Sequence, residues 1–518
     1  MRKSLTFALF MLHLSGVTLA ASPPAVVWQK PLKGLSALAL TAEGDLLFVG
    51  SDAKIHRTTS AGEERWTYAL GDIGRGQPVV APGGQIYVVS YDDYVYALTP
   101  DGKLEWRYKL DGDIFATPAL RTDGSLIVAS TAGRVVALSS QGQVLWTFQA
   151  GAGIFSSPAV SLDGTIYFGA QDSTLTALSP DGQVKWKFSA GSFVFSSPAL
   201  DAQGNIYFGS SDRHVYSVDP AGQLRWKVQT RLFVNASPII TQQGLVVVGS
   251  FDGTLYALQQ GGTEAWTYRA GAPIAAPAAQ LSNGDLVVGD AQGTLHAVSE
   301  TGRPLWQLPT SARIDVSAAI SDSGMLYSVS NDGRLLAMAV GQGPASGPWS
   351  QWRSVPAGWG RTLTPSEITA RAEQVANTPR VSVAASAPET QAAQTEAAPP
   401  VQGTQTAAPR PPLVPFVLDA RGLMTSAGSV YVPLRALVNA LGGQVLLPGK
   451  TEVTVRVGAQ SLSLPAAVRG NTAYVQVGAL RSLPALRVQW QAAKREVRVI
   501  TPDRVIVIPV EAQAVSRM

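Results

Sequence analysis

At 518 residues, 46% of them apolar, the chain is long enough for two or three domains with buried cores. A formal charge of +4 over that length excludes the concentrated basic stripe expected of a nucleic-acid binder. The absence of cysteine excludes a disulfide framework, a thiol nucleophile, a zinc–thiolate site and a lipid attached to an N-terminal cysteine.

Residues 1–20 set Arg2 and Lys3 before an apolar run from Leu5 to Leu19, with small residues at Ala20 and Ala21. That is the three-part pattern of a secretory signal, so the chain is expected to be exported to the periplasm or to the extracellular side of the cell envelope. No later stretch reaches the roughly 18 apolar residues that a spanning helix needs, so no transmembrane span is expected.

From residue 24 onward one phrase recurs at a spacing of 40 residues. Gly44, Gly84, Gly124, Gly164, Gly204, Gly244, Gly284 and Gly324 mark eight units. A second glycine recurs at 62, 102, 142, 182, 222, 262 and 302, four residues ahead of Trp66, Trp106, Trp146, Trp186, Trp226, Trp266 and Trp306. Within each unit, alternating apolar stretches such as "TIYFGA" and "LTALSP" are separated by turn residues, which reads as four short strands. Four-stranded units at this period are the signature of a mainly β, eight-bladed β-propeller of four-stranded blades, here over residues 24–346. A large flat ring that packs while donating one indole hydrogen bond suits the seal between blades. The glycine before it suits a turn that needs positive φ. The eight tryptophans, Trp28 included, are therefore expected to be structural.

Counting outer strands predicts how the ring closes. Trp28 in "AVVWQKPL" precedes the first unit, whereas an in-phase tryptophan after the last would fall at Ser346. The strand around Trp28 is therefore expected to complete the blade begun by residues 310–340, which removes two open sheet edges.

The stretches "ALTPDGKLEW" (97–106), "ALSSQGQVLW" (137–146) and "ALSPDGQVKW" (177–186) resemble the tryptophan-docking motif of the PQQ-like eight-bladed propellers. That repeat is shared by quinoprotein alcohol dehydrogenases and by BamB-like propellers of the outer-membrane assembly machinery. The dehydrogenase branch implies a PQQ cofactor held by a vicinal cysteine pair and a calcium ion. With no cysteine, PQQ is unsupported, no cofactor is expected and the chain is expected not to be an enzyme. The segment 347–362, "GPWSQWRSVPAGWGRT", is similar to a tryptophan-rich segment that borders such propellers.

Beyond the ring, Thr364, Pro365 and Glu367 form a capping-box pattern ahead of good helix formers, which predicts one short helix over 364–377. Residues 378–412 are rich in Ala, Thr, Gln, Ser and Pro and are expected to form a disordered linker. Residues 413–512 read as a small α+β domain. "VYVPLRALVNALGGQVLL" (430–447) predicts a helix that begins near Pro433 and stops at Gly442 and Gly443, and "AYVQVGALRSLPALRVQW" (473–490) repeats the theme loosely. The duplicated pattern resembles the domain named after the N-terminal domain of copper amine oxidases. The stretch has no histidine or cysteine, so no metal is expected there. Residues 413–518 carry 12 Lys and Arg against 5 Asp and Glu, a local +7, which suits wall polymer or another protein as the partner of this region.

No catalytic residues are expected. His56, His214 and His296 lie in different blades without ligand spacing, and no P-loop, kinase set or nucleophile elbow is present. Asp52, Asp92, Asp172, Asp212, Asp252 and Asp332 share one phase of the repeat and read as hairpin-turn residues bonded to their own backbone. Departures from the repeat carry more information, because structure demands sameness. Just before the inner strand one phase reads Leu35, Arg75, Phe115, Phe155, Phe195, Asn235, Ala275 and Asp315, with Phe193, Arg231 and Phe233 in the same loops. An apolar arc rimmed by Arg and Asp predicts a docking face for an envelope protein or peptide. The competing readings are that the phenylalanines plug the channel mouth, that the mouth binds a small PQQ-type ligand, or that the chain is a degenerate quinoprotein oxidoreductase.

Overall fold

A computed structural model of the chain describes residues 22–382 and, between residues 415 and 512, the backbone course of ten further strands. The N-terminal segment read as a secretory signal, residues 383–412 of the linker expected over 378–412, and the helix expected after Pro433 lie outside the described residues, whereas the start of that linker is held on the propeller, Val381 N–H donating to Ser323 O at 2.9 Å. The chain divides into two compact units, Met1–Gln391 and Ala392–Met518.

The first unit is a propeller of eight four-stranded antiparallel blades. The fourth blade shows the pattern, running outward from the axis through Ala159–Val160, Ile166–Gly169, Thr174–Leu178 and Val184–Ser189. Its two middle strands are almost wholly buried, because each blade is covered on both faces by its neighbours. Only the outermost strand alternates between exposed and half-buried residues. The glycine of the first turn, Gly164, has φ +80°, and that of the last, Gly182, has φ +85°, which only glycine adopts without strain.

Ring closure follows the count of outer strands. Strand β1 (Val26–Lys30) pairs antiparallel with Leu335–Ala339, Trp28 opposite Ala337, and completes the eighth blade. The ring is thus closed by hydrogen bonds between residues some 300 positions apart in sequence, and the eighth blade has no hairpin between its third and fourth strands.

Seven tryptophans do the same work at seven blade interfaces. The indole Nε1 of Trp28, Trp66, Trp106, Trp146, Trp186, Trp226 and Trp266 donates to a carbonyl in the last turn of the following blade, those of Ser60, Pro100, Ser140, Pro180, Pro220, Gln260 and Glu300, at 2.7–3.1 Å. The ring lies against the glycine of that turn. A Cβ on Gly182 would sit 2.6 Å from the Trp146 ring, and one on Gly222 2.7 Å from Trp186. The glycine therefore serves two demands, the left-handed turn and the floor for the neighbour's indole. Trp306 differs. It would dock on the last turn of the eighth blade, which does not exist, and instead it is buried among Leu305, Leu308, Ile320 and Val340.

Around the axis a second ladder crosses the blades. Gln77 N–H donates to the Thr117 hydroxyl, Thr117 N–H to Ser157, Ser157 N–H to Ser197 and Ser197 N–H to Ser237, at 2.8–3.0 Å. Each inner strand has only two residues, so these hydroxyls satisfy backbone donors that the short ladder cannot reach.

The expected helix forms as α1 (Pro365–Asn377), with the Thr364 side chain accepting from Glu367 N–H and the Glu367 carboxylate accepting from Thr364 N–H. In the second unit the ten strands form one sheet. Val430–Pro433 pairs antiparallel with Thr472–Gln476, Val432 opposite Val475, so the two copies of the duplicated theme lie side by side.

Two substitutions test the docking rule by urea denaturation. Gly182→Ala should destabilise by about 2–4 kcal/mol, combining a left-handed residue with a blocked indole seat. Trp186→Phe should cost about 1 kcal/mol more than Trp306→Phe, because only the former removes a hydrogen bond.

Candidate functional site

The two faces of the ring are chemically different. One carries the turns between first and second strands, and the chain returns to it after the eighth blade. Residues 344–363 run across the channel there, and their carbonyls accept from the inner strands. Leu40, Val80, Leu120 and Val160 N–H are met by Pro356, Ala357, Trp359 and Gly360 O, and Ile240 and Gln280 N–H by Trp349 and Ser350 O, at 2.8–3.1 Å. Trp349 is 1% exposed.

Arg353 goes deepest into this plug. Arg353 is 1% exposed, and its guanidinium donates to Pro158 O at 2.6 Å and Pro118 O at 2.8 Å and meets no carboxylate among the described residues. Burial pushes it down to about 9 from its ordinary 12.5. One gap between the plug and the ring, near Gln77, Ser317 and Trp352, is about 10 Å³, room for one water molecule, and a cleft of about 640 Å³ opens on the same face between Val80, Trp359 and Arg371. Arg361 then pairs with Glu367 at 2.7 Å and stacks on Trp359, 4.6 Å from the ring centre, which ties α1 to the plug.

The opposite face carries the loops that lead into each inner strand and the turns between second and third strands. Here the sequence-predicted phenylalanines meet. Phe115 and Phe155 have ring centres 5.4 Å apart, Phe155 and Phe195 5.6 Å, and Phe195 and Phe193 5.6 Å. Tyr91, from a turn of the second blade, extends the row by stacking on Phe115 at 5.7 Å. Phe233 joins Phe251 at 4.3 Å. These rings stay in contact with solvent, Phe115 at 37%, Phe193 at 44% and Phe233 at 36%, with Leu232 beside them at 46%. The rings form a strip along the mouth, spanning the loops before the third, fourth and fifth blades, with Phe155 and Phe195 more covered than Phe115 and Phe193.

The polar residues around the strip divide. Arg75 lies close enough to Tyr91 to oppose the effect of burial on its hydroxyl, which Asp113 and Asp72 reinforce; burial dominates and holds that hydroxyl far above the usual phenol range. Arg231 is exposed, and its backbone N–H donates to Asp252 at 3.0 Å. Asn235 accepts from the Ser211 hydroxyl at 3.1 Å. Asp315 is bonded to Arg313 and to Asn331 in its own loops. It is thus occupied by local partners.

The aspartates of the repeat do more than cap their own turns. Asp172 accepts from Thr174 only, as a turn residue does. Asp212 and Asp252 also accept from the hydroxyls of Tyr216 and Tyr256, at 2.6 and 2.8 Å, and from the amides of Gly191 and Arg231 in the entering loop. They act as struts under the loops that carry Phe193, Phe195 and Phe233. Burial alone would raise the Asp252 carboxyl, but the hydrogen bonds from Tyr256, Arg231 and Thr254 outweigh it and leave it below its ordinary value. Histidine stands in the tyrosine's phase at His56, which bonds Asp52 at 3.0 Å; the buried His296, with Gln292 in the aspartate's phase, bonds Asp290 at 3.0 Å and Tyr268 at 2.9 Å instead. Among the described residues, no group of three His, Cys, Asp or Glu side chains is placed to hold a metal ion.

Sequence reading missed Tyr91 and Phe251, which stand in turns whose composition varies freely from blade to blade. It also missed Arg353, whose partners are carbonyls and leave no mark in the sequence.

The fold is thus an eight-bladed propeller with one face crossed by the chain's own residues 344–363 and the other built of loops that carry aromatic rings. The chain belongs to the family described as outer membrane protein assembly factor BamB, whose profile matches residues 16–113, 51–192, 95–232, 171–368 and 251–408. Its fold is that of the crystal structure of BamB from Moraxella catarrhalis, with a TM-score of 0.52 and 18% identity over 61% of this chain and 99% of that one. The computationally designed Ika8 protein is similar to the same degree, with a TM-score of 0.52 and 16% identity over 59% of this chain and 96% of that one. A desiccation/radiation resistance protein of Deinococcus radiodurans is 49% identical over 66 residues, which are 13% of this chain and 12% of that protein.

The ion pair between plug and helix gives a pH test. The hydrogen bond from Arg361 holds the Glu367 carboxyl down to about 2, from an ordinary 4.5. A depressed carboxylate contributes stability above its ordinary value and loses it as pH falls toward the depressed one. Melting temperatures of the wild type and Glu367→Gln, followed between pH 5 and about 2, should differ most at the upper end and converge at the lower.

Proposed function

We propose that this chain is a non-enzymatic, exported envelope scaffold that uses the aromatic face of its propeller to hold a protein partner during envelope or outer-membrane assembly. The observation that carries this reading is the continuous aromatic strip from Tyr91 to Phe193, half-exposed and mounted on loops, opposite a face that the chain seals with its own residues 344–363. Exposed aromatic rings held by neighbouring loops are typical anchors of protein recognition, because burying them against a partner releases water at little conformational cost. Family membership supports the assembly context. The basic second unit would serve as an additional contact for wall polymer or another protein.

The strip is tested by single substitutions read as capture of a cross-linked partner from native envelopes. Phe155→Asp or Phe195→Asp should leave the melting transition in place and weaken capture by about 2 kcal/mol or more, roughly 30-fold. Gln141→Asp, in an exposed turn of the opposite face, should change neither. Loss of folding in the two phenylalanine variants would assign the rings to the channel seal, and unchanged capture would remove this face from the function.

A further inference from the structure

The aromatic strip has two ends of opposite charge. At one, the loops before the second and third blades carry Asp72, Asp111 and Asp113, all exposed, and Asp72 and Asp113 lie near enough to act on the Tyr91 hydroxyl. At the other, Arg231 precedes Leu232 and Phe233 in the loop before the sixth blade. Arg213 stands beside it in a turn of the fifth blade, where Thr230 N–H donates to Arg213 O at 2.8 Å, and both arginines are exposed. Between the two ends, the loop before the fourth blade reads AGAGIFSSP and brings Phe155 without any charge.

Around the rest of the mouth, acid and base cancel in local pairs. Lys33 meets Asp52 at 3.3 Å, Arg313 meets Asp315 at 2.5 Å and Arg334 meets Asp332 at 3.3 Å. Lys109 likewise takes up Asp93, and Asp172, midway along the row, is bonded to Thr174. Among the described residues, Asp72, Asp111, Asp113, Arg213 and Arg231 form no such ion pair. Arg75, half-buried near Tyr91, offsets one of the three acids. Asp212 and Asp252 are engaged by the hydroxyls of Tyr216 and Tyr256, which leaves the exposed guanidinium groups as the charges a partner meets at that end. A single exposed charge needs no partner. Segregation by sign at the two ends of an apolar row gives the row a direction.

We infer that the partner segment held by the strip is itself dipolar: basic residues over Asp72, Asp111 and Asp113, apolar side chains on Phe115, Phe155 and Phe195, and acidic residues at Arg213 and Arg231. The inference rests on the docking reading and adds to it the partner's charge order and the direction in which it lies. A segment laid the other way round sets like charges against each other at both ends, which selects against it more strongly than the apolar contacts, equal in both directions, can.

The probe is a pair of synthetic peptides with alternating Phe and Thr in the middle, one with two lysines at its N-terminus and two glutamates at its C-terminus, the other with these ends exchanged. Binding to the full chain is read by fluorescence anisotropy at low salt. One of the two should bind at least about tenfold more tightly than a peptide with glutamine at all four end positions. Arg231→Glu should leave the melting transition unchanged, because the fold uses the Arg231 backbone N–H and its side chain is exposed. It should weaken that peptide by about tenfold, and replacing the two glutamates of the peptide with lysines should restore the loss. Phe195→Asp should weaken all the peptides alike. Binding that depends on Phe195 but ignores the end charges would overturn the dipolar order and leave the docking reading standing. Binding indifferent to Phe195→Asp would overturn both. If neither dipolar peptide binds, this inference fails, and capture from native envelopes still decides the docking reading separately.

Discussion

One contact repeated seven times holds the propeller together: an indole laid on the glycine of the next blade, with its N–H on that blade's turn carbonyl. It ties the outer rim of one sheet to the following one without any covalent link, which a chain with no cysteine requires. The interface that lacks it is also the seam at which the N-terminal strand enters the ring. There the loss of one indole seat is offset by burial of Trp306 and by the pairing of Val26–Lys30 with the eighth blade. Closure and docking thus exchange roles at a single place.

Rigidity gained at the rim lets the two faces diverge. The sealed face uses backbone against backbone, with six inner strands capped by carbonyls of one crossing segment. The open face uses side chains, and its loops before the fifth and sixth blades are held from below by aspartates bonded to tyrosine and to loop amides. The part of the aromatic surface carried by Phe193, Phe195 and Phe233 is therefore preformed. A partner that binds it need not order it first, which keeps the entropic cost of recognition low.

Most of the ring could be read in advance because its demands are local and repeated. Glycine every 40 residues marks left-handed turns, tryptophan marks the rim, and the out-of-phase residue at Ser346 reveals that the last strand must come from Trp28. The helix was legible from Thr364 and Glu367 for the same reason, since a capping box is a contact between neighbours in sequence. Other features left no pattern. The steric reason for Gly182 lies in Trp146 of another blade. The partners of Arg353 are the carbonyls of Pro118 and Pro158, which any residue would supply. Tyr91 and Phe251 join the aromatic surface from turns in which Thr131 and Gln171 stand at equivalent positions, so periodicity was silent about them. The arc at Phe115, Phe155 and Phe195 was visible as an interruption of sameness, but its contact geometry needed the ring.

The crossing segment also bears on how such a protein can change over generations. Tandem copies of a 40-residue unit are prone to unequal recombination, which adds or deletes a whole blade while preserving every local rule of the repeat. Here such an event would carry a penalty that the repeats themselves cannot impose. A ring of seven or nine blades would rotate the inner strands away from the carbonyls of Trp349, Ser350, Pro356, Ala357, Trp359 and Gly360, which are spaced to meet six amides of a ring of eight. The segment thus acts as a gauge of blade number, read out as buried amides left without partners whenever the count is wrong.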